Sequence, residues 1–297
     1  MTLPATERAD PRYREIDAWP AEIALTALFE AQLSAAAAVR AALPAIEAAA
    51  AAALARLRNG GRLVYCGSGT SGRLAVQDAV ELAPTFDWPA DRLVLLLAGG
   101  MAALTQATEN AEDDGEAARR AVASHDVTAR DIVIAVAASG RTPFTCVAAE
   151  ESRARGALSI GIANSPDSSL LAIAAHPVLV ATGAEPIAGS TRMKAGTAQK
   201  IVLNLLSTML MLRLGRVHDG LMVDLRATNA KLRERALRML RQLTGAETVA
   251  AEAALAAAGG SVKAAVLVLR GHTPEDARAL LARHGGHLRT ALEEVSR

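Results

Sequence analysis

Aromatic residues make up only 2% of this 297-residue chain: three Phe, two Trp and two Tyr. A core with so few rings must be filled by Leu, Val and Ile, and abundant Ala lets helices approach closely. Cysteine is nearly absent. Cys66 and Cys146 are the two in the sequence, too few for a disulfide framework and without the spacing of a metal site. Charge of one sign is lacking too, with 32 Lys and Arg against 31 Asp and Glu. That balance argues against the basic footprint of a nucleic-acid binder and against a polybasic membrane patch. No apolar run of 18 residues is free of charge, and Met1 to Asp17 is polar, with no leader-like apolar centre. A soluble cytoplasmic protein is expected, with neither nucleic acid nor membrane as partner.

Apolar residues, by contrast, make up 51% of the sequence, enough for one large domain and a smaller one. Residues 20–57 are rich in Ala, Leu and Glu and read as two helices broken near Pro44 and folded as a hairpin. Their apolar stripes need a partner, either a sheet or a second subunit. Five short apolar runs follow, at Leu63–Cys66, Leu93–Ala98, Asp131–Ala137, Ser159–Ala163 and Pro177–Ala181, with helical patterns between them. Apolar strands alternating with helices predict an α/β fold, a doubly wound five-stranded parallel sheet covered on both faces. In the flavodoxin-like order the first and third strands are neighbours, and a ligand crevice opens between their carboxyl ends. A long helix is expected from about Thr191 to Leu214. Beyond Gly215 the helical segments are short, broken at Thr244-Gly245, Gly259-Gly260, Gly271 to Pro274 and Gly285-Gly286, and read as a small C-terminal bundle. The expected domains are an N-terminal helical segment (1–58), a ligand-binding α/β domain (59–215) and a C-terminal helical domain (216–297).

The first predicted strand runs into "CGSGTSGR", Cys66 to Arg73. Its glycines have dinucleotide-binding spacing, but that reading demands an acidic residue closing the second strand. That strand ends "LVLLLAGGM", with no acid. A nucleotide P-loop fails as well, because Gly72 is followed by Arg73-Leu74 and not by Lys-Ser or Lys-Thr. What remains is a turn whose glycines admit a ligand close to the backbone, with Ser68, Thr70 and Ser71 and free N–H groups converging where a helix dipole favours an anion. The bland alternative is a tight turn with Ser71 capping a helix. A second turn weighs against it. The third strand ends "AASGRTPF", placing Ser139, Gly140 and Thr142 before a helix with Pro143 at its first position. Two neighbouring hydroxyl-rich turns fit a phosphosugar better than a dinucleotide.

These turns resemble those of the sugar isomerase (SIS) fold. Longer stretches narrow the match: "YCGSGTSGRLAVQDAVELAPTF", "TENAEDD", "AASGRTPF", "GSTRMKAGTAQKIVLNLLSTMLM" and "LMVDLRATNAKL". Together they resemble the N-acetylmuramic acid 6-phosphate etherases over roughly residues 15–295. "TRMKAGTAQK" is specific to that family and to its relative, the glucokinase regulatory protein. The resemblance implies a lyase of cell-wall sugar recycling that removes D-lactate from carbon 3 of the sugar phosphate, with no redox change, no cofactor and no chemical need for a metal. A base takes the C2 proton, acidified by the C1 aldehyde. An acid protonates the leaving ether oxygen, and water then adds. Two carboxyl groups in opposite protonation states are required.

By resemblance Glu81, in "DAVELAPT", matches the family's general acid. It is read as ending the helix that begins at Ser71, and its neighbours Val80, Leu82 and Ala83 would favour the protonated carboxyl. The alternative is a surface Glu at a helix end. By the same resemblance Glu112, in "TENAEDD", is the base. Glu109, Glu112 and Asp113 can share one helix face, the alternative being a solvated acidic first turn. Ser190, Arg192 and Lys194 stand at the start of the long helix. Either cation could meet the lactyl carboxylate or the phosphate, or could brace the cradle through local carboxylates. The chain departs from many relatives at Leu82-Ala83-Pro84, where Cys-Pro-Pro is common, and at His218-Asp219-Gly220, where an aromatic-Gly-Asn turn is. Two rival readings are a non-catalytic sugar-phosphate-sensing regulator and an aldose–ketose isomerase of the same fold. The regulator needs two sugar-binding domains and no acid–base pair, and the isomerase needs no acid at C3. A homodimer is expected from the resemblance and from the unpaired N-terminal helices.

Overall fold

The computed structural model describes residues 4–106, 108–225 and 230–295. Met1 at the polar N-terminus, Asn229 of "LMVDLRATNAKL" and Arg297 at the far end lie outside the described residues. The chain divides into two compact units, Met1–Ala79 with Asp91–Ser207, and Val80–Ala90 with Thr208–Arg297.

In the first unit the five predicted runs form strands β1 (Leu63–Gly67), β2 (Leu93–Leu97), β3 (Ile132–Ala137), β4 (Leu158–Ala163) and β5 (His176–Leu179). All pairings are parallel, in the order β2-β1-β3-β4-β5, so β1 and β3 are neighbours as expected. Every residue of β1, β3 and β4 is buried, which is why these strands read as continuous apolar runs rather than alternating ones. Between them run α3 (Gly69–Phe86), α4 (Gly115–Ser124), α5 (Pro143–Ala154) and α6 (Ser169–Ile173). On one face Val64, Cys66, Val133 and Ala135 cluster with Val122 of α4 and with Phe144 and Ala148 of α5. The next residue in each strand points the other way. There the Tyr65 hydroxyl donates to Asp78 of α3 at 2.9 Å. Asp78 also accepts from Asn204 (2.6 Å) and Ser207 (3.2 Å) of α7 (Lys194–Arg213). One buried carboxylate thus ties β1, α3 and α7 together. Its burial raises its proton affinity above the ordinary Asp value, and the three donors act in the opposite sense. The core is aromatic-poor as the composition demands: among its largest fully buried side chains Tyr65 stands with Leu and Ile.

At the N-terminus α1 (Ala21–Ala38) and α2 (Leu43–Arg58) are joined by a tightened 3-10 turn, Val39–Ala42. A hairpin was the expectation. Instead Ala38, Val39, Ala42 and Leu43 all keep right-handed helical angles, so the helical path continues. Pro44 falls in the first turn of α2, where its missing N–H costs no helical bond. The runs Ala21–Arg58 and Lys194–Arg213 are long and apolar enough to cross a membrane by length and composition, but 56% of the second is buried in the fold. The first carries Gln32, which accepts from the Thr197 hydroxyl of α7 at 2.5 Å.

The second unit holds α8 (Ala230–Thr244), α9 (Thr248–Ala257), α10 (Val262–Val268), α11 (Pro274–Arg283) and α12 (Leu288–Val295). The four breaks fall where predicted, and glycines with positive φ follow α8 (Gly245), α9 (Gly259 and Gly260), α10 (Gly271) and α11 (Gly285 and Gly286). Ser261 caps α10, and Thr273 caps α11 ahead of Pro274. Met239, Leu240, Leu255, Val266, Leu280 and Leu288 form the core. Lys263 is buried inside it, paired with Asp224 at 2.6 Å and donating to the Gly286 carbonyl at 2.7 Å.

Candidate active site at the carboxyl ends of the strands

The turn after β1 is built by close approach. A Cβ on Gly67 would lie 2.9 Å from the Gly72 backbone, and one on Gly72 would lie 2.7 Å from the Gly67 carbonyl. Helix α3 can therefore leave the strand directly only if both residues are glycine. The Gly72 N–H donates to the Ser68 carbonyl at 3.0 Å, closing the first helical turn. Ser68 thus takes the capping position and α3 begins at Gly69. Ser71, expected as the cap, lies within the first turn and is buried. The leading N–H groups of this turn have no intrahelical partner. The Ser68 hydroxyl is itself buried, with no hydrogen-bond partner among the described residues. An unpaired buried hydroxyl costs about 1–3 kcal/mol, a cost that an anion accepting its proton removes.

Ser68 and Gly69 line a cavity of about 240 Å³ with Arg73, Ala98, Ala103 and residues 108–112. Glu112 therefore shares a cavity with the start of α3. The "TENAEDD" stretch does not form the helical face expected for Glu109, Glu112 and Asp113. Asn110 has φ +59°, and the Asp113 N–H closes a turn on the Asn110 carbonyl at 3.2 Å. Helix α4 starts only after Asp114, whose carboxylate caps the Ala117 N–H at 2.8 Å. Both glutamates lie exposed in the turn. The carbonyl of Glu112 accepts from the Phe144 N–H at 3.0 Å, which fastens this turn to the N-terminus of α5.

That bond changes the role of the second hydroxyl turn. Thr142 precedes α5, with Pro143 at its first position, but its side chain makes no capping bond; the Glu112 carbonyl satisfies the Phe144 donor instead. The Ser139 hydroxyl accepts from the Arg141 N–H at 3.2 Å. Gly140 is held tightly. Its φ is +66°, an added Cβ would collide with Ser168, and its carbonyl accepts from the Leu170 N–H at 2.9 Å.

The start of α7 runs beside the first turn of α3, where a Cβ on Gly196 would sit 3.6 Å from Thr70 Cγ2. It begins at Lys194 because the fully buried Glu185 caps it, accepting from the Lys194 and Ala195 N–H groups at 2.9 Å each. Burial raises the Glu185 carboxyl above the ordinary value, opposed by those two N–H donors. The Lys194 ammonium donates to the Ala184 carbonyl at 2.9 Å, and burial lowers its proton affinity, with Glu185 acting in the opposite sense. Arg192 is exposed and Ser190 half-buried in the preceding turn. A cap nine residues upstream leaves no local spacing to read, so Glu185 has no signal in the sequence. Arg73 does have one, as a cation one helical turn past the hydroxyls of "CGSGTSGR".

Glu81 lies on the part of α3 that belongs to the second unit. The helix continues past it to Phe86, with Pro84 inside, so Glu81 does not end the helix. It is exposed, and of the neighbours expected to shield it Leu82 is buried while Val80 and Ala83 are exposed. Apolar sequence neighbours point around a helix in different directions, so they do not enclose the carboxyl. Both cysteines are free. Burial pushes the Cys66 thiol up to about 12 and the Cys146 thiol up to about 11, which makes each a packing residue rather than a nucleophile.

Comparison with known proteins agrees with this architecture. Residues 45–150 match the glucokinase regulatory protein N-terminal SIS domain, and residues 100–209 match the SIS domain. A solved phosphoheptose isomerase from Francisella tularensis aligns over 65% of this chain and 100% of its own at 20% identity, with a TM-score of 0.49. The N-acetylmuramic acid 6-phosphate etherase of Deinococcus radiodurans is 52% identical over 99% of this chain and 97% of its own length. Those of Streptomyces avermitilis and Rubrobacter xylanophilus are each 46% identical over 98% of this chain, and over 94% and 97% of their own. With such identity along nearly its whole length, the chain belongs to the N-acetylmuramic acid 6-phosphate etherase family.

Proposed function

We propose that this chain is a carbon–oxygen lyase that converts N-acetylmuramic acid 6-phosphate and water to N-acetylglucosamine 6-phosphate and D-lactate, in cell-wall sugar recycling. The observation that carries the reading is one cavity combining the orphan Ser68 hydroxyl with the Glu112 carboxylate, in a chain of this family. The phosphate is the handle. Ser68, Gly69, Thr70 and Ser71 offer hydroxyls and free N–H groups at the start of α3, and Ser139, Gly140 and Thr142 form the neighbouring turn. Ser190, Arg192 and Lys194 complete the cradle from the start of α7, Lys194 by bracing it through Ala184.

Glu112 takes the C2 proton of the open-chain aldehyde, and its link to Phe144 holds it beside the second turn. Glu81, assigned through its motif, gives a proton to the ether oxygen as the C3–O bond breaks. Water then adds to the unsaturated aldehyde at C3, and a proton returns to C2. Each carboxyl contributes on the order of 10²–10⁴ in rate. Purified protein incubated with N-acetylmuramic acid 6-phosphate should release D-lactate in step with N-acetylglucosamine 6-phosphate. Binding without release would favour a sensor, and aldose–ketose exchange without release an isomerase.

The enzyme is further proposed to be a cytoplasmic homodimer. A sugar phosphate carries its charge poorly through hydrocarbon, so its consumer works where it is made. On α1 the side chains of Leu25, Phe29 and Leu33 are 69%, 61% and 54% exposed. Their four-residue spacing forms one apolar stripe, and a second copy of the chain is its occupant. Light scattering should give a dimer mass for the wild type. A Leu25→Glu, Phe29→Glu variant should run as a monomer, and an unchanged mass would move the interface elsewhere.

A further inference from the structure

We propose that Arg73 binds the carboxylate of the lactyl group and thereby distinguishes substrate from product. The inference rests on the etherase reading above. Substrate and product share the phosphate, and they differ by an ether that carries a second anion. At the start of α3 the phosphate cradle offers only neutral hydroxyls and N–H groups. The cavity that holds Ser68 and Glu112 has Arg73 as the cation among its described lining residues, against the carboxylates Glu109 and Glu112. A lactyl carboxylate entering there meets two like charges, and a nearby cation is needed to offset them.

The guanidinium is held ready for that task. Its Nε donates to the Ala103 carbonyl at 2.9 Å and its Nη2 to the Gln106 carbonyl at 3.4 Å. Those bonds set the plane of the fork while leaving Nη1 and part of Nη2 to donate. Among the described residues no carboxylate forms an ion pair with Arg73. A planar fork with two oriented edges suits a carboxylate better than a point charge does. Of the two cations at the start of α7, Lys194 is spent on the Ala184 carbonyl, and exposed Arg192 is not among the described residues lining this cavity.

The experiment compares two sugars on purified Arg73→Gln and Arg73→Lys. One reading is KM and kcat for N-acetylmuramic acid 6-phosphate; the other is the inhibition constant of N-acetylglucosamine 6-phosphate, which keeps the phosphate and lacks the carboxylate. Arg73→Gln should raise KM about 10- to 100-fold and leave the inhibition constant within about twofold, the scatter of a minor contact. Arg73→Lys should recover part of the KM loss. A parallel loss for both sugars would assign Arg73 to the phosphate or to the support of residues 103–106, and would overturn the proposal, as would an unchanged KM. If Arg73→Gln fails to fold, the Arg73→Lys comparison decides by the same split. Wild-type protein that turns over no substrate sinks the etherase reading itself. Wild-type turnover with unshifted variants sinks the role of Arg73 alone.

Discussion

Glu112→Gln should abolish exchange of the C2 hydrogen with solvent and, with it, lactate release, by about 10²–10⁴-fold. The substitution keeps the side chain's size and removes only its basicity. The bond that positions the turn is made by the backbone carbonyl of Glu112 to the Phe144 N–H, so Gln leaves it intact. The side chain is exposed, so no buried charge pair is broken and the fold should be unaffected. Proton abstraction comes first in the sequence of steps, and losing it silences everything after it. The measurement is deuterium incorporation at C2 in heavy water, followed by NMR, beside a lactate assay. Exchange at the wild-type rate in Glu112→Gln would remove the residue from the role of base.

Glu81→Gln should give the opposite split, with C2 exchange persisting while D-lactate release falls about 10²–10⁴-fold. Without a proton donor the ether oxygen must leave as an alkoxide, whereas the proton at C2 can still come and go. Glu81 is exposed and makes no side-chain hydrogen bond or ion pair among the described residues, so the isosteric amide should leave stability within about 0.5 kcal/mol. Loss of exchange and release together would make Glu81 a part of the first step. Normal release would leave the acid to be found elsewhere.

Much of this molecule was legible because its strands are buried on both faces. Runs such as Ile132–Ala137 can be little else in a chain whose helical patterns alternate with them, and the flavodoxin-like order expected for such a chain places β1 beside β3 as observed. The C-terminal helices were legible through the glycines between them, because positive φ is a local demand. Less was legible where a backbone group found a partner from far away. Thr142 has the right residue type for a cap, yet the Glu112 carbonyl does the work. "TENAEDD" has helical charge spacing, yet Asn110 in the left-handed region turns it aside. Pro44 suggested a reversal, and at the first turn of α2 it merely lets the helix tighten.

The sequence by itself determined the alternation of strands and helices, the two hydroxyl-rich turns and the presence of both glutamates. Those features depend on residue type and on periodicity along the chain, and both are local. Tertiary structure alone decided that Glu185 caps α7, that Lys194 is spent on a carbonyl, and that Arg73 and Glu112 line the same cavity as Ser68. Those pairings follow no helical or strand period, whether across one loop as for Glu185 and α7 or between separate turns as for Glu112 and Ser68, so they form only once the sheet has gathered the strand ends.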